Sequence, residues 1–218
     1  MIKAVIFDMD GLLLDSELYW DEARHGYVQQ QGGAWSNQDS VNVIGHNSAQ
    51  WARYIQEQFG IQQPAAEIIQ AVVARMEQLY AQELPWLPGA QDAVRLLAGR
   101  YPLAVASASH RTLIDLVLNV SGLGLFFQSV TSADEVTHGK PAPDVYLLAA
   151  SRLGVAATAC VAFEDSSNGI LSAAASGAQV VAVPNLHFPP TAVALAQATL
   201  VLPSLAQLTL AMVEGIGG

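Results

Sequence analysis

Cysteine and positive charge are both scarce in this 218-residue chain, and each scarcity removes a class of function. The one cysteine, Cys160, cannot close an internal disulfide, and it lies in the apolar run Ala159-Cys160-Val161-Ala162-Phe163. Such surroundings disfavour the thiolate, so a buried structural cysteine is expected rather than a nucleophile. Nine basic residues face nineteen acidic ones, a net charge of −10 that argues against a nucleic-acid or anionic-membrane partner. A small anionic substrate stays open if a metal, a lysine or helix N-termini supply local positive potential. No apolar run approaches ~20 residues, and no basic segment leads into a signal-type stretch at the N-terminus. The expectation is a soluble, cytoplasmic, monomeric protein.

What the chain does have is apolar content, 52% of its residues, arranged in short blocks. Ala4-Val5-Ile6-Phe7 shows no polar alternation, as for a parallel strand covered on both faces. Leu103 to Ala106, Ser129 to Thr131, Ala159 to Phe163, Val180 to Val183 and Leu200 to Leu202 read as further strands separated by helices. That alternation predicts an α/β fold, a doubly wound parallel sheet. An ordinary crossover needs ~30 residues. About ninety-five separate Asp8 from the second strand, so the excess is read as an insertion. It covers 16–84, leaving 1–15 and 85–218 as the core, and it reads as helical. Trp51, Tyr54, Ile55 and Phe59 form one stripe at helical spacing, and Ile68, Ile69, Val72, Val73, Met76, Leu79 and Tyr80 form a second. Pro85 to Gly89 punctuates the return to the core and is the expected hinge.

In open α/β sheets ligands collect outside the carboxyl ends of the strands, and four of those ends are chemically unusual here. The first carries Asp8, Asp10 and Gly11. Side chains two apart in extended chain point the same way, and two close carboxylates repel unless a cation or a proton lies between them. Turn or capping aspartates are the bland alternative. Glu164-Asp165 ends another strand, and two adjacent acids at the same sheet edge make an oxygen-ligand site suited to Mg²⁺; helix capping by Asp165 is the competing reading. Ser107-Ala108-Ser109 stands at a strand-to-helix junction, where a hydroxyl and free backbone N–H groups can hold an anion or simply cap the helix. Lys140, held out of helix by Pro141, is one of few cations in the chain and can act as a point charge toward a phosphate or a carboxylate. A carboxylate nucleophile, an acid/base, an anion cradle, a cation and a metal site together fit phosphoryl transfer.

These motifs, DMDGLLLDSE, ASAS, the lysine of GKPAPDVY, and FEDSSNG, occur in the order found in the haloacid dehalogenase superfamily of phosphohydrolases, which the chain resembles over essentially its whole length. The helical insertion resembles the small cap of the subgroup that contains β-phosphoglucomutase, phosphoglycolate phosphatase and sugar- or hexitol-phosphate phosphatases. The resemblance implies that Asp8 attacks phosphorus to give an aspartyl-phosphate, while Asp10 protonates the leaving alkoxide and then takes a proton from water. It implies that Mg²⁺ is held by carboxylate oxygens of Asp8 and Asp165 and the backbone carbonyl of Asp10, with Glu164 ligating directly or through water. Ser107, the Ala108 N–H and Lys140 would bind the transferring group.

True dehalogenases of the superfamily need no metal and lack the second acid, which Asp10 and Glu164-Asp165 argue against. A mutase is a closer rival, but the histidine and arginine with which such caps hold a second phosphate correspond here to Trp20 and Ser48. Those departures favour a phosphatase; His25 and His46 could partly replace those groups, with a surface or structural histidine as the competing reading for each. A phosphorylatable receiver-like module is disfavoured by the helical insertion. Trp20, Tyr19, His46 and Asn47 form the expected wall for a small phosphorylated metabolite, a sugar or polyol phosphate, with phosphoglycolate and nucleotide monophosphates as alternatives.

Overall fold

In the computed structural model, which describes residues 1–43 and 46–216, the chain runs from strand to helical insertion and back. Strand β1 (Ala4–Phe7) is followed by helices α1 (Glu17–Gln30), α2 (Asn37–Val43), α3 (Ser48–Phe59) and α4 (Ala65–Gln82). The core then resumes with α5 (Ala90–Ala98), β2 (Leu103–Ser107), α6 (Arg111–Ser121), β3 (Phe127–Ser132), α7 (Asp144–Arg152) and β4 (Cys160–Glu164). It closes with α8 (Ser167–Ala175), β5 (Gln179–Ala182), α9 (Ala192–Leu195), β6 (Leu200–Val201) and α10 (Leu210–Ile216). The six strands form one sheet in the order β3-β2-β1-β4-β5-β6, with every pair parallel. This is the doubly wound α/β core, and each strand falls on a predicted apolar block.

The two faces of the sheet differ in side-chain size. Val5 and Phe7 share a cluster with Leu103, Val105, Val161 and Phe163, where Phe7 stacks on Phe163 at 4.9 Å and 14°. Ala4 and Ile6 share the other with Ala104, Ala106, Cys160 and Ala162, and the helical residues packed there are small as well, Ala149 and Ala173 among them. Since alternate strand residues point to opposite faces, the chain sets a large-residue face against a small-residue one. Every residue of β1 and β4 is buried, which explains why neither strand alternates polar with apolar.

The four helices of the insertion bury the predicted stripes: Trp51 and Ile55 on α3, and Ile68, Val72, Val73, Met76 and Tyr80 on α4. The stripe spacing singled out neither α1 nor α2. The chain leaves and re-enters the core along adjacent paths, with Asp15 N–H bonded to the Pro85 carbonyl at 2.7 Å and Leu87 N–H to the Leu13 carbonyl at 3.0 Å. Two hydrogen-bonded crossings tie the helical region to the segment that follows the carboxyl end of the interior strand β1. Among the described residues no helix is long and apolar enough to cross a membrane.

Candidate active site

Because β1 and β4 are neighbours in parallel register, their carboxyl ends deliver Asp8, Glu164 and Asp165 to one point. All three are buried, and they offer carboxylate oxygens within 4.8 Å of one another. Two glycines make room for this crowding. Gly11 adopts φ of +78°, and a β-carbon there would come within 2.0 Å of Asp165 Oδ2; one on Gly169 would meet the Glu164 carboxylate at 1.9 Å.

Three buried acids need compensation. Lys140 supplies one charge: its Nζ donates to Asp8 Oδ1 at 2.7 Å, to Glu164 Oε1 at 2.6 Å and to the Ala106 carbonyl at 3.1 Å. All three ammonium protons are thereby used. Burial pulls the Lys140 pKa down, but Asp8 and Glu164 outweigh it and hold the ammonium above its ordinary range. The Tyr146 hydroxyl also donates to Glu164 Oε1, at 2.5 Å. One ammonium cannot neutralise three carboxylates. Burial, opposed by Lys140 and reinforced by Glu164 and Asp10, pushes Asp8 up to about 8. Burial together with Glu164 and Asp8 raises Asp165 as well. Asp165 Oδ1 is buried with no hydrogen-bond partner among the described residues. An oxygen-only donor set, an excess of negative charge and an orphaned carboxylate oxygen are what a hard divalent cation such as Mg²⁺ requires, so the residues present fit one.

Asp10 lies beside this cluster but turns its carboxylate elsewhere. Oδ1 accepts from Ser16 Oγ at 2.7 Å, Trp20 Nε1 at 3.2 Å and Tyr80 OH at 3.4 Å. Oδ2 accepts from Ser107 Oγ at 3.2 Å and Ser109 Oγ at 2.6 Å. Donors from the sheet edge and from the helical insertion therefore converge on one carboxylate. Ser107 is fully buried, and its hydroxyl also accepts from the Ser109 N–H at 3.0 Å.

A cavity of about 410 Å³ opens over both groups, lined by Asp8, Asp10, Ala108, Ser109, Lys140 and Asp165 from the core and by Glu17, Trp20, Arg24, His46 and Trp51 from the insertion. Its size suits a small metabolite. Most of the residues singled out in the sequence meet here. Trp20 lines the cavity while its indole N–H is directed at Asp10. His46 lines it with a buried Nδ1 that has no partner among the described residues; burial and Arg24 hold its pKa below the ordinary histidine range. Asn47 does not line this cavity. Its side chain caps α3, accepting from the Gln50 N–H at 3.0 Å in a capping box. Ser48 begins α3 and lines the cavity, whereas Gly45 of the same loop lies outside the described residues.

Sequence reasoning missed Ser16, Glu17, Arg24, Tyr80 and Tyr146, and named Ser109 only as part of the Ser107-Ala108-Ser109 junction. Ser109 carried a signal, since it sits two residues after Ser107 and shares its side of the turn. Tyr80 belongs to a packing stripe by spacing, and nothing in the pattern distinguishes a tyrosine whose ring packs from one whose hydroxyl reaches Asp10.

Comparison with known proteins places this geometry in a family. A model described as haloacid dehalogenase-like hydrolase matches residues 2–177. Hexitol phosphatase B of Escherichia coli K12 is 34% identical over 190 residues, which are 84% of each chain. Fructose-1-phosphate phosphatase YqaB of the same organism is 33% identical over 179 residues, 82% of this chain and 95% of that one. Among solved structures, CbbY from Rhodobacter sphaeroides in complex with phosphate superposes with a TM-score of 0.87 at 26% identity, covering 98% of this chain and 100% of the other.

Proposed function

The chain belongs to the haloacid dehalogenase-like hydrolases and is a phosphatase, and from that premise we propose that it hydrolyses a small sugar or polyol phosphate, Mg²⁺-dependently, through a phosphorylated Asp8. The observation that carries the reading is the meeting of the Asp8, Glu164, Asp165 and Lys140 side chains under a metabolite-sized cavity whose other wall is aromatic. The two curated relatives act, by their names, on a hexitol phosphate and on fructose 1-phosphate, which supports the substrate class.

Asp8, Glu164 and Asp165 would hold Mg²⁺, with the backbone carbonyl of Asp10. When bound, the ion offsets the charge of the acids and of the incoming phosphate dianion. Lys140 occupies Asp8 Oδ1, and the other Asp8 oxygen has no donor among the described residues. That second oxygen attacks phosphorus, and the ester P–O bond breaks as the Asp8–phosphorus bond forms. A protonated Asp10, with one of its hydroxyl neighbours turned to accept from it, gives that proton to the departing alkoxide, then accepts one from the water that attacks the aspartyl-phosphate, so that phosphate leaves and both aspartates return to their starting states. Ala108 and Lys140, which line the cavity, steady the phosphoryl group meanwhile, Lys140 through its charge, and Ser107 joins them by turning its hydroxyl from Asp10. In this reading the chain divides into a catalytic core, 1–15 and 85–218, and a cap, 16–84, that closes the cavity.

A panel of phosphate esters with and without Mg²⁺, scored by kcat/KM, tests the proposal. Sugar and polyol phosphates are expected to lead, and chelator to stop turnover. Full activity in chelator, or no ester hydrolysed, would refute it. β-Glucose 1-phosphate, with and without glucose 1,6-bisphosphate, is expected to yield free phosphate; efficient conversion to glucose 6-phosphate would make the protein a mutase.

A further inference from the structure

The insertion's side of the cavity carries charge that no ion pair among the described residues neutralises. Arg24 on α1 is only 6% exposed, an unusual place for a guanidinium, and it lines the cavity. Two indoles clamp it: its guanidinium carbon lies 5.1 Å from the Trp20 ring centroid and 5.7 Å from that of Trp51. Among the described residues it forms no ion pair, and its Nε is buried without a hydrogen-bond partner. Glu17, about two helical turns before it on α1, lines the same cavity, and its carboxylate likewise has no partner among the described residues. His46 brings a third polar atom without a partner, the buried Nδ1.

An unpartnered donor and an unpartnered acceptor on one wall, close enough to feel each other's charge yet forming no ion pair, leave space for a group that both accepts and donates. A hydroxyl does both; a carboxylate or phosphate only accepts at neutral pH. A second anion could satisfy Arg24, but it would face Glu17, Asp21 and Asp10, the acids whose fields already act on that guanidinium. The aromatic faces beside Arg24 add an apolar surface for the carbon skeleton of a sugar or polyol.

We propose that Arg24 and Glu17 are the specificity-determining pair of this site, selecting a phosphate ester whose leaving group is a neutral polyol and rejecting one that carries a second anion. The inference rests on the phosphatase reading but adds residues and a sign to it. Arg24 donates to a substrate hydroxyl oxygen, and Glu17 accepts the proton of that or the adjacent hydroxyl.

The experiment compares pairs of esters that differ only at the far end, glycerol 3-phosphate with 3-phosphoglycerate and glucitol 6-phosphate with 6-phosphogluconate. Wild-type kcat/KM is expected to favour the neutral member by roughly tenfold or more, since the anionic one buries like charges together. Glu17→Gln is expected to shrink that ratio, and Arg24→Met to lower kcat/KM for the polyol ester more than for p-nitrophenyl phosphate. Thermal melting reports whether Arg24→Met folds; if it does not, Arg24→Lys and the Glu17→Gln ratio carry the test. A preference for the carboxylate member, or variants that slow every ester alike, would overturn the proposal. Hydrolysis of p-nitrophenyl phosphate with neither member of either pair turned over would overturn it while sparing the phosphatase reading. If no ester is hydrolysed, calorimetric binding of glucitol 6-phosphate against 6-phosphogluconate to the Mg²⁺-loaded protein decides, by the same ordering.

Discussion

The two walls of the cavity treat charge in opposite ways. On the sheet side, Lys140 directs all three protons at Asp8, Glu164 and the Ala106 carbonyl, and Asp10 is saturated by hydroxyl and indole donors. On the insertion side, Arg24 and His46 hold buried atoms with no partner among the described residues. A wall whose groups already fix one another is built for one reaction, because preorganised charge gains nothing from rearranging. A wall with unpartnered groups is completed by the substrate, and that is where one ester can be told from another. In the proposed reading, the difference assigns chemistry to the core and choice to the cap.

The sharpest way to break that division is at Asp8. Asp8→Asn keeps the shape of the side chain and removes the attacking oxygen, and turnover is expected to fall by ~10⁴-fold or more for every ester. Loss confined to some esters would move Asp8 out of the reaction and into recognition. Asp10→Asn should separate steps within the core wall. Alkyl phosphates, whose leaving groups need a proton, are expected to slow by ~10²-fold, and an ester of an acidic phenol much less; equal losses would contradict the acid/base role. Tyr80→Phe probes the seam between the walls. It removes the 3.4 Å contact to Asp10 and leaves the packed ring in place, so kcat is expected to drop by about two- to tenfold. An unchanged kcat with an altered substrate ranking would put Tyr80 on the choosing side.

The smallest effect is on stability. Asp8 is pushed from 3.8 to about 8, and Asp165 is raised too, so between those values the metal-free native state binds more protons than the unfolded chain. Stability contributed by these groups is therefore lost as pH rises, and the part owed to Asp8 levels off above about 8. Lys140, whose pKa is raised as well, has the same sign, but its window starts above its ordinary value of 10.5 and does not interfere. Melting in chelator is expected to shift to lower temperature from pH 5 to pH 8, with the slope reduced by Mg²⁺. A midpoint that climbs over that range would mean the acids are already compensated without a cation.

The same two walls differ in how far they could be read from the chain. The core was legible because its chemistry sits where secondary structure changes. An unbroken apolar run such as Val5-Ile6-Phe7 leads into Asp8, and strands that are hydrophobic throughout point to the buried parallel pairing whose carboxyl ends carry Asp8, Glu164 and Asp165. The cap was legible as helices and, at Trp20 and His46, as part of the cavity wall, but not at Arg24, Glu17 or Tyr80. Arg24 and Tyr80 lie on helices whose spacing predicts only which face is buried, and a buried face can turn toward a neighbouring helix or toward a cavity. Asn47 shows the converse. Its loop position invited a binding role, while local geometry gives its side chain to the end of α3. Helix-face periodicity records burial; what lies opposite the face is set by the fold of the insertion on the sheet.

The division between the walls depends first on whether the phosphoryl group rests on Asp8 before water takes it. The stereochemical course at phosphorus measures this directly, using an ester whose phosphate is made chiral with oxygen isotopes and, for the hydrolytic step, sulfur. Each in-line displacement inverts phosphorus, so transfer to Asp8 followed by transfer to water predicts net retention. Inversion would mean that water attacks the ester directly, and would contradict a nucleophilic role for the buried carboxylate at the end of the first strand.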